Sequence, residues 1–259
     1  MSSLEELLEL DFKSIVERIQ DFIKQKVEEA GAEGAVVGLS GGLDSSVTAT
    51  LTVRALSPRR VLGLVMPDSR VTPSTDVKDA KDLAKNLQIN HMVIDIAPIF
   101  DSYLTMLPRH RLAEGNLRAR IRMSLLYYFA NLENRLVIGT GDKSELLLGY
   151  FTKYGDGGVD ILPLGSLYKT QVASLARWLG IPSHIIEKKS SPRLWPDHDA
   201  EKELGFTYEF ADQVLYLIFD KGLSEDKVSR KLDSINVEKV VRRYRESAHK
   251  RAPPAIYKI

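Results

Sequence analysis

The feature that most restricts this chain is a short apolar run, Ala35-Val36-Val37-Gly38-Leu39. It leads without a spacer into Ser40-Gly41-Gly42 and then into a helical pattern from about Leu43 to Leu56. A strand that is apolar at every position is buried on both faces, which is the habit of parallel sheets. The alternation then repeats. Val61 to Met66 reads as a second strand stopped by Pro67, and Asp76 to Leu87 as a helix. His91 to Ile96 reads as a third strand, Asn116 to Leu132 as a long helix and Arg135 to Gly139 as a fourth strand. Strands separated by helices predict an α/β fold with a parallel sheet covered by helices on both faces. Ahead of the sheet, Leu4, Leu7, Leu8, Phe12, Ile15, Ile19, Phe22 and Ile23 recur at helical spacing. They predict one amphipathic helix over residues 4 to 29, ended by Gly31 and Gly34.

After Thr140 the character changes. Residues 149 to 165 are rich in Gly and Asp and predict no regular element, and a helix is expected from Leu167 to Leu179. Residues 188 to 203 hold two prolines among polar groups, and Tyr208 to about His249 reads as helical, giving a helical C-terminal cap on the sheet. No internal repeat, low-complexity tract or shift in composition marks a boundary, so residues 1–259 are expected to form a single domain.

Composition excludes several classes of function. At 44% hydrophobic and 27% charged residues the chain can bury a sizeable core, so disorder is not expected. A net charge of +1 supplies no global field for a nucleic acid or an acidic membrane. The absence of cysteine removes disulfides, thiolate nucleophiles and Cys-ligated metals, and fits a cytoplasmic protein. The N-terminus carries Glu5, Glu6, Glu9 and Asp11 where a signal peptide would be basic and smoothly apolar. No apolar run approaches the roughly 20 residues that cross a bilayer. Neither a nucleic-acid nor a membrane partner is expected.

The loop Gly38-Leu39-Ser40-Gly41-Gly42-Leu43-Asp44-Ser45-Ser46 has the chemistry of an anion site. Adjacent glycines let a ligand approach the backbone closely. Successive N–H groups form a concave nest at a helix N-terminus, where partial positive charge favours phosphate. Ser40, Ser45 and Ser46 add hydroxyl donors. Asp44 suits two roles at once, compensating the helix dipole and holding Mg²⁺ beside a triphosphate. No Gly-Lys-Ser/Thr follows, so this is not the Walker pattern, and the dinucleotide Gly-x-Gly-x-x-Gly fingerprint is absent too. The loop resembles the SGGxDS loop of the ATP pyrophosphatase superfamily, whose members hold the β- and γ-phosphates of ATP there and transfer AMP. That resemblance implies a Rossmann-like sheet of the adenine nucleotide alpha hydrolase type.

A second block narrows the choice. It comprises Gly139-Thr140-Gly141-Asp142-Lys143-Ser144-Glu145, then Gly149-Tyr150-Phe151-Thr152-Lys153-Tyr154-Gly155-Asp156-Gly157-Gly158-Val159-Asp160, then Pro163-Leu164-Gly165 and Leu167-Tyr168-Lys169-Thr170-Gln171. From Gly38 to Lys250 the chain resembles the ammonia-dependent NAD synthetases. The resemblance implies that Gly38, Leu39, Ser40, Gly41, Gly42, Leu43, Asp44, Ser45, Thr140, Lys169 and Ser191 contact ATP. It implies that Asp44 and Glu145 share Mg²⁺, with Lys169 on the phosphates. Arg120, Lys153, Asp160, His249 and Lys250 are implied to bind deamido-NAD. Read by residue type alone, Glu145 equally suits a first-turn acid, and Lys153 with Asp160 a solvated pair. Arg120 and Arg122 equally suit exposed helix charges, His249 an exposed histidine, and Tyr150 and Phe151 core packing.

The chain departs from that family at Asp142, where many members have Asn or His, and at Lys188-Lys189-Ser190-Ser191-Pro192-Arg193-Leu194. There the usual Pro-Ser/Thr-Ala is altered and Arg193 is added. Val71 to Thr75 and Ser190 to Glu203 are expected to act as mobile covers over the nucleotide. The resemblance further implies a homodimer, with residues 4 to 29 and 116 to 132 as contact candidates. Neither length nor cysteine allows the glutaminase domain of glutamine-using relatives, so free ammonia, or ammonia taken from a separate partner, is the expected nitrogen source. An adenylating tRNA-modifying enzyme and a non-catalytic nucleotide-binding regulator are the alternatives. Near-neutral charge and zero cysteines weigh against the first, and the retained Asp44, Glu145 and Lys169 against the second.

Overall fold

A computed structural model describes residues 3–258. The chain begins with α1 (Ser3–Leu8) and α2 (Phe12–Glu29), then β1 (Gly34–Gly38), α3 (Leu43–Leu56), a 3₁₀ turn at Pro58–Arg60 and β2 (Val61–Val65). Next come α4 (Ser74–Asn86), β3 (Asn90–Val93), α5 (Ala97–Leu104), α6 (Arg111–Leu132) and β4 (Arg135–Ile138). The remainder is helical: α7 (Lys143–Leu148), α8 (Lys169–Leu179), α9 (Ser183–Ile186) and α10 (Ala200–Leu204). It ends with α11 (Tyr208–Phe219), α12 (Glu225–Ser229), α13 (Ser234–Glu246) and α14 (Ala248–Arg251).

The four strands form one parallel sheet in the order β3-β2-β1-β4, with Ala35 opposite both Val61 and Leu136. The alternation of side chains sorts the core into two layers. Ala35, Val37, Val61 and Ile138 face one side with Val16, Ile23, Val47, Leu51 and Leu175, contributed by α2, α3 and α8. Val36, Leu62, Leu64 and Val137 face the other with Ile96, Phe100, Ile121 and Ala130, contributed by α5, α6 and the segment before α5. Covering on both faces is what continuous apolar strands require. A third cluster joins Leu7, Leu148, Tyr168, Val214, Leu215, Val237 and Val240, and makes the C-terminal cap a packed unit.

Strand order matters for function. From β1 the chain winds through β2 to β3 on one side, and β4 then pairs on the other side of β1. The carboxyl ends of β1 and β4 therefore flank the point where the winding reverses, the place where open α/β sheets bind ligands.

The structure corrects several sequence expectations. The helix expected over residues 4 to 29 is two helices, because the Asp11 carboxylate accepts a hydrogen bond from Ser14 N–H (3.1 Å) and starts α2 afresh. The third strand stops at Val93 instead of Ile96, although Ile96 N–H still reaches Pro67 O (2.8 Å) beyond β2. The region from Tyr208 is four helices, with breaks around Gly222, Asp233 and Ser247. Short helices α5, α7, α9 and α10 lie in segments whose few turns carry too little periodicity to read. The two expected covers contain the start of α4 and all but the last residue of α10, and are otherwise irregular.

Candidate active site

Between the ends of β1 and β4 lies a cleft of about 890 Å³. That is at the upper end of the ~300–1,000 Å³ typical of small-molecule sites. One wall is the loop after β1. Gly41 has φ +75°, and a Cβ there would lie 2.1 Å from the Asp76 carbonyl oxygen, so both the turn and the close approach require glycine. Ser40 Oγ and Ser45 Oγ are 2.9 Å apart, and Gly42 N–H donates to Ser40 Oγ (3.2 Å). The hydroxyls of Ser45 and Ser46 donate back to Gly42 O. These bonds hold the start of α3, and with it Asp44, toward the cleft.

The opposite wall brings in Lys169, the first residue of α8. Its Nζ lies 2.8 Å from each of Asp44 Oδ2, Asp142 Oδ2 and Glu145 Oε1. Since both oxygens lie 2.8 Å from one nitrogen, those of Asp44 and Glu145 can be no further apart than twice that distance. Burial pulls the Lys169 ammonium downward, but Asp142, Asp44 and Glu145 outweigh it and hold its pKa well above the usual value, so it is charged. Burial raises Glu145 well above the carboxylate range, opposed by Lys169 and reinforced by Asp142 and Asp44. Burial likewise raises Asp142.

Asp142 is fully buried and forms a capping box with Glu145: it accepts from Glu145 N–H (2.8 Å), and Glu145 accepts from Asp142 N–H (3.4 Å). Glu145 is thus a first-turn acid and a cleft acid together. Support comes from the cap. Asp212, on α11, accepts from Ser144 Oγ (2.5 Å), Thr170 N–H (2.9 Å) and Thr170 Oγ1 (2.9 Å), while Ser144 Oγ accepts from Lys169 N–H (2.8 Å). One buried carboxylate therefore pins the starts of both α7 and α8.

Of the residues singled out from sequence, Gly38, Leu39, Ser40, Gly42, Leu43, Asp44, Ser45, Thr140, Glu145, Lys169, Ser191, His249 and Lys250 all line the cleft. Gly41 lies behind it against Asp76. Lys250 Nζ donates to Gly149 O and Phe151 O, both at 2.7 Å, and braces the glycine-rich loop. Arg120 and Lys153 lie outside the lining, on a rim reached through Arg120 Nη2 to Lys153 O (3.3 Å) and Lys153 Nζ to His249 O (2.9 Å). Asp160 is not brought to this group. Its carboxylate accepts from Tyr127 Oη (2.9 Å) and from Val137 N–H (2.7 Å), continuing the edge of β4.

Sequence reasoning missed several contributors. Arg122 lines the cleft and donates to Met66 O (2.9 Å), and burial lowers its pKa to about 10. Buried Asp68 pairs with Arg118 (2.7 Å), whose Nη1 also donates to Leu194 O (3.2 Å), tying α6 to the segment before α10. Tyr150 Oη donates to Glu203 (2.7 Å), which also pairs with His198 (2.7 Å), stacked on Trp195 at 3.6 Å. Only the Asp142-x-x-Glu145 spacing carried a local signal, that of a capping box.

The donor set suits a hard cation. Asp44 Oδ1 is buried with no hydrogen-bond partner among the described residues, and three carboxylates share one ammonium. Among the described residues no group of three or more His, Cys, Asp or Glu is arranged to hold a metal alone. Asp44 and Glu145 would supply the one or two carboxylates that Mg²⁺ takes, the rest of its shell being phosphate oxygens and water. No described helix is long and apolar enough to cross a membrane.

Comparison with known proteins points one way. The family model for NAD synthase matches residues 15–254. The NH(3)-dependent NAD(+) synthetase of Hyperthermus butylicus is 55% identical over 98% of this chain and 94% of its own length. Among solved structures, the NH3-dependent NAD synthetase of Campylobacter jejuni aligns with a TM-score of 0.83 at 36% identity, covering 96% of this chain and all of that one (100%). The NMN synthetase of Francisella tularensis aligns with a TM-score of 0.86 at 33% identity, covering 97% of this chain and 100% of its own.

Proposed function

The chain belongs to the NAD synthase family, and from that premise we propose how its own residues join ammonia to deamido-NAD at the expense of ATP. Members are ligases that form a carbon–nitrogen bond, and the substrates here are small molecules. The observation that carries the reading is the convergence of Asp44, Glu145 and Lys169 on one point, opposite the Ser40–Ser46 loop.

In the first step a carboxylate oxygen of deamido-NAD attacks the α-phosphorus of ATP. A new O–P bond forms, the bond to the β-phosphate oxygen breaks, and pyrophosphate leaves. The nest of N–H groups and the serine hydroxyls bind the β- and γ-phosphates, and Lys169 balances the charge that builds there. Asp44 and Glu145 would hold Mg²⁺ with the phosphates, and the bound ion would supply Lewis-acid stabilisation of that charge. Ammonia then attacks the activated carbonyl, the bond to AMP breaks, and the nitrogen loses a proton. The substrate carboxylate is the nucleophile, so no Ser–His–Asp set is needed. Thr140, at the end of β4, and Ser191 face the nucleotide. Lys250, His249, Lys153 and Arg120 form a basic rim suited to the two phosphates of the dinucleotide.

We place these parts in one catalytic domain and read the chain as a homodimer. Exposed Tyr128 and Leu132 on α6 support contact there, whereas α2 turns Val16, Ile19, Ile23 and Val27 into the core. The deciding experiment measures pyrophosphate released from Mg-ATP, with deamido-NAD and ammonium each added or omitted. Release coupled to NAD formation only when both are present is expected. Turnover with RNA alone, or with nicotinic acid mononucleotide in preference to deamido-NAD, would overturn the reading, as would nucleotide binding without turnover.

A further inference from the structure

Arg193 lies in the irregular segment ahead of α10, and the structure places it beside the phosphate loop. Its Nε donates to Asp76 Oδ2 (2.9 Å), while its Nη fork makes no hydrogen bond to the described residues. The side chain is one-third exposed (33%) and lines the cleft. Asp76 itself is buried against the loop, with its carbonyl packed on Gly41. Its second carboxylate oxygen takes Lys188 Nζ (2.9 Å), which also donates to Gly41 O (2.8 Å) and pairs with Asp79 (2.6 Å). The Arg193 backbone is held at φ +50°, in the left-handed region that a non-glycine residue rarely enters, and its N–H donates to Ser191 Oγ (3.2 Å). Strain of this kind persists where surroundings impose it, and it gathers at functional positions.

We propose that Arg193 is a phosphate-binding residue on the pyrophosphate side of the cleft, oriented by Asp76. Asp76 holds Nε, and Lys188 balances the charge of Asp76. The guanidinium fork is left free, and its planar pair of N–H donors suits bidentate contact with a terminal phosphate. The residue adds selective affinity for the polyphosphate end of ATP and for the leaving pyrophosphate, and none for the adenylate end. This deepens the reading above and rests on it for the identity of the nucleotide.

The test is titration calorimetry of inorganic pyrophosphate and of AMP, each with Mg²⁺, on the full chain and on Arg193→Ala and Arg193→Gln. A charge-assisted hydrogen bond is roughly twice as strong as a neutral one. Pyrophosphate affinity is therefore expected to fall about tenfold or more in both variants, while AMP binding reports an intact fold. The readout is the ratio of the two affinities. A shift against pyrophosphate of more than roughly fivefold, about 1 kcal/mol, supports the proposal. A smaller shift overturns it, as does a failure of the unaltered chain to bind pyrophosphate. If the ratio shifts but the unaltered chain makes no NAD from deamido-NAD, the substrate reading fails and the clamp stands.

Discussion

Replacing Asp212 with Asn tests whether burial holds a carboxylate of the cap protonated above the usual carboxylate range. Asp212 is fully buried, and burial outweighs its bonds from Ser144 and Thr170, raising its pKa from 3.8 to about 7. A carboxylate whose folded pKa is raised stabilises the fold most fully below its unfolded value. That stability declines as pH rises and is lost once pH passes the folded value. At about 1.4 kcal/mol per pH unit, the whole effect is on the order of 4 kcal/mol. Between about pH 5.5 and about pH 8, half of it, about 2 kcal/mol, should be lost by the natural chain and not by the Asn variant. Asn can still accept from Thr170 through its carbonyl and can donate to Ser144 Oγ, so the packing should survive. Guanidinium denaturation of both proteins across that range gives the difference directly. The variant should gain on the natural chain as pH rises. A stability difference that stays flat with pH would refute the argument and place the Asp212 pKa near an ordinary carboxylate's.

Gly41→Ala must move the Asp76 backbone and tolerate φ +75°, so it should cost about 1–3 kcal/mol and weaken ATP binding, read by denaturation and by KM for ATP. Lys169→Met leaves Asp44, Asp142 and Glu145 facing one another, and should cost about 3–5 kcal/mol. That deficit should shrink in denaturation at about pH 5 relative to about pH 8, because acid neutralises carboxylates that burial has already raised. Arg118→Ala leaves Asp68 buried with Arg70 as its remaining partner, for a loss of about 3 kcal/mol. Burial raises Asp68, but its bonds from Arg70 and Arg118 prevail and lower it, so the natural chain's advantage should fade below about pH 4 in urea titrations.

Much of this molecule was legible before its folding was known. Continuous apolar strands ending in loops dictated a parallel sheet, and α3 starts and stops where the pattern of Leu43 to Leu56 placed it. Ser40, Asp44, Thr140, Glu145 and Lys169 were identifiable by type, motif and resemblance, and they meet in one cleft. These readings depend on neighbours within a few residues, where backbone geometry ties sequence spacing to direction. What tertiary structure decided was which distant groups share charge. Lys169 faces three carboxylates from the starts of α3 and α7, Asp212 reaches across from α11 to set the starts of α7 and α8, and Asp76 aims Arg193 beside Gly41. Asp160 shows the converse, since it sits in the same glycine-rich run yet serves the edge of β4. No local spacing encodes such meetings. They arise only when packed helices bring together groups far apart in the chain, and burial then makes each unpaired charge costly enough to fix its partner.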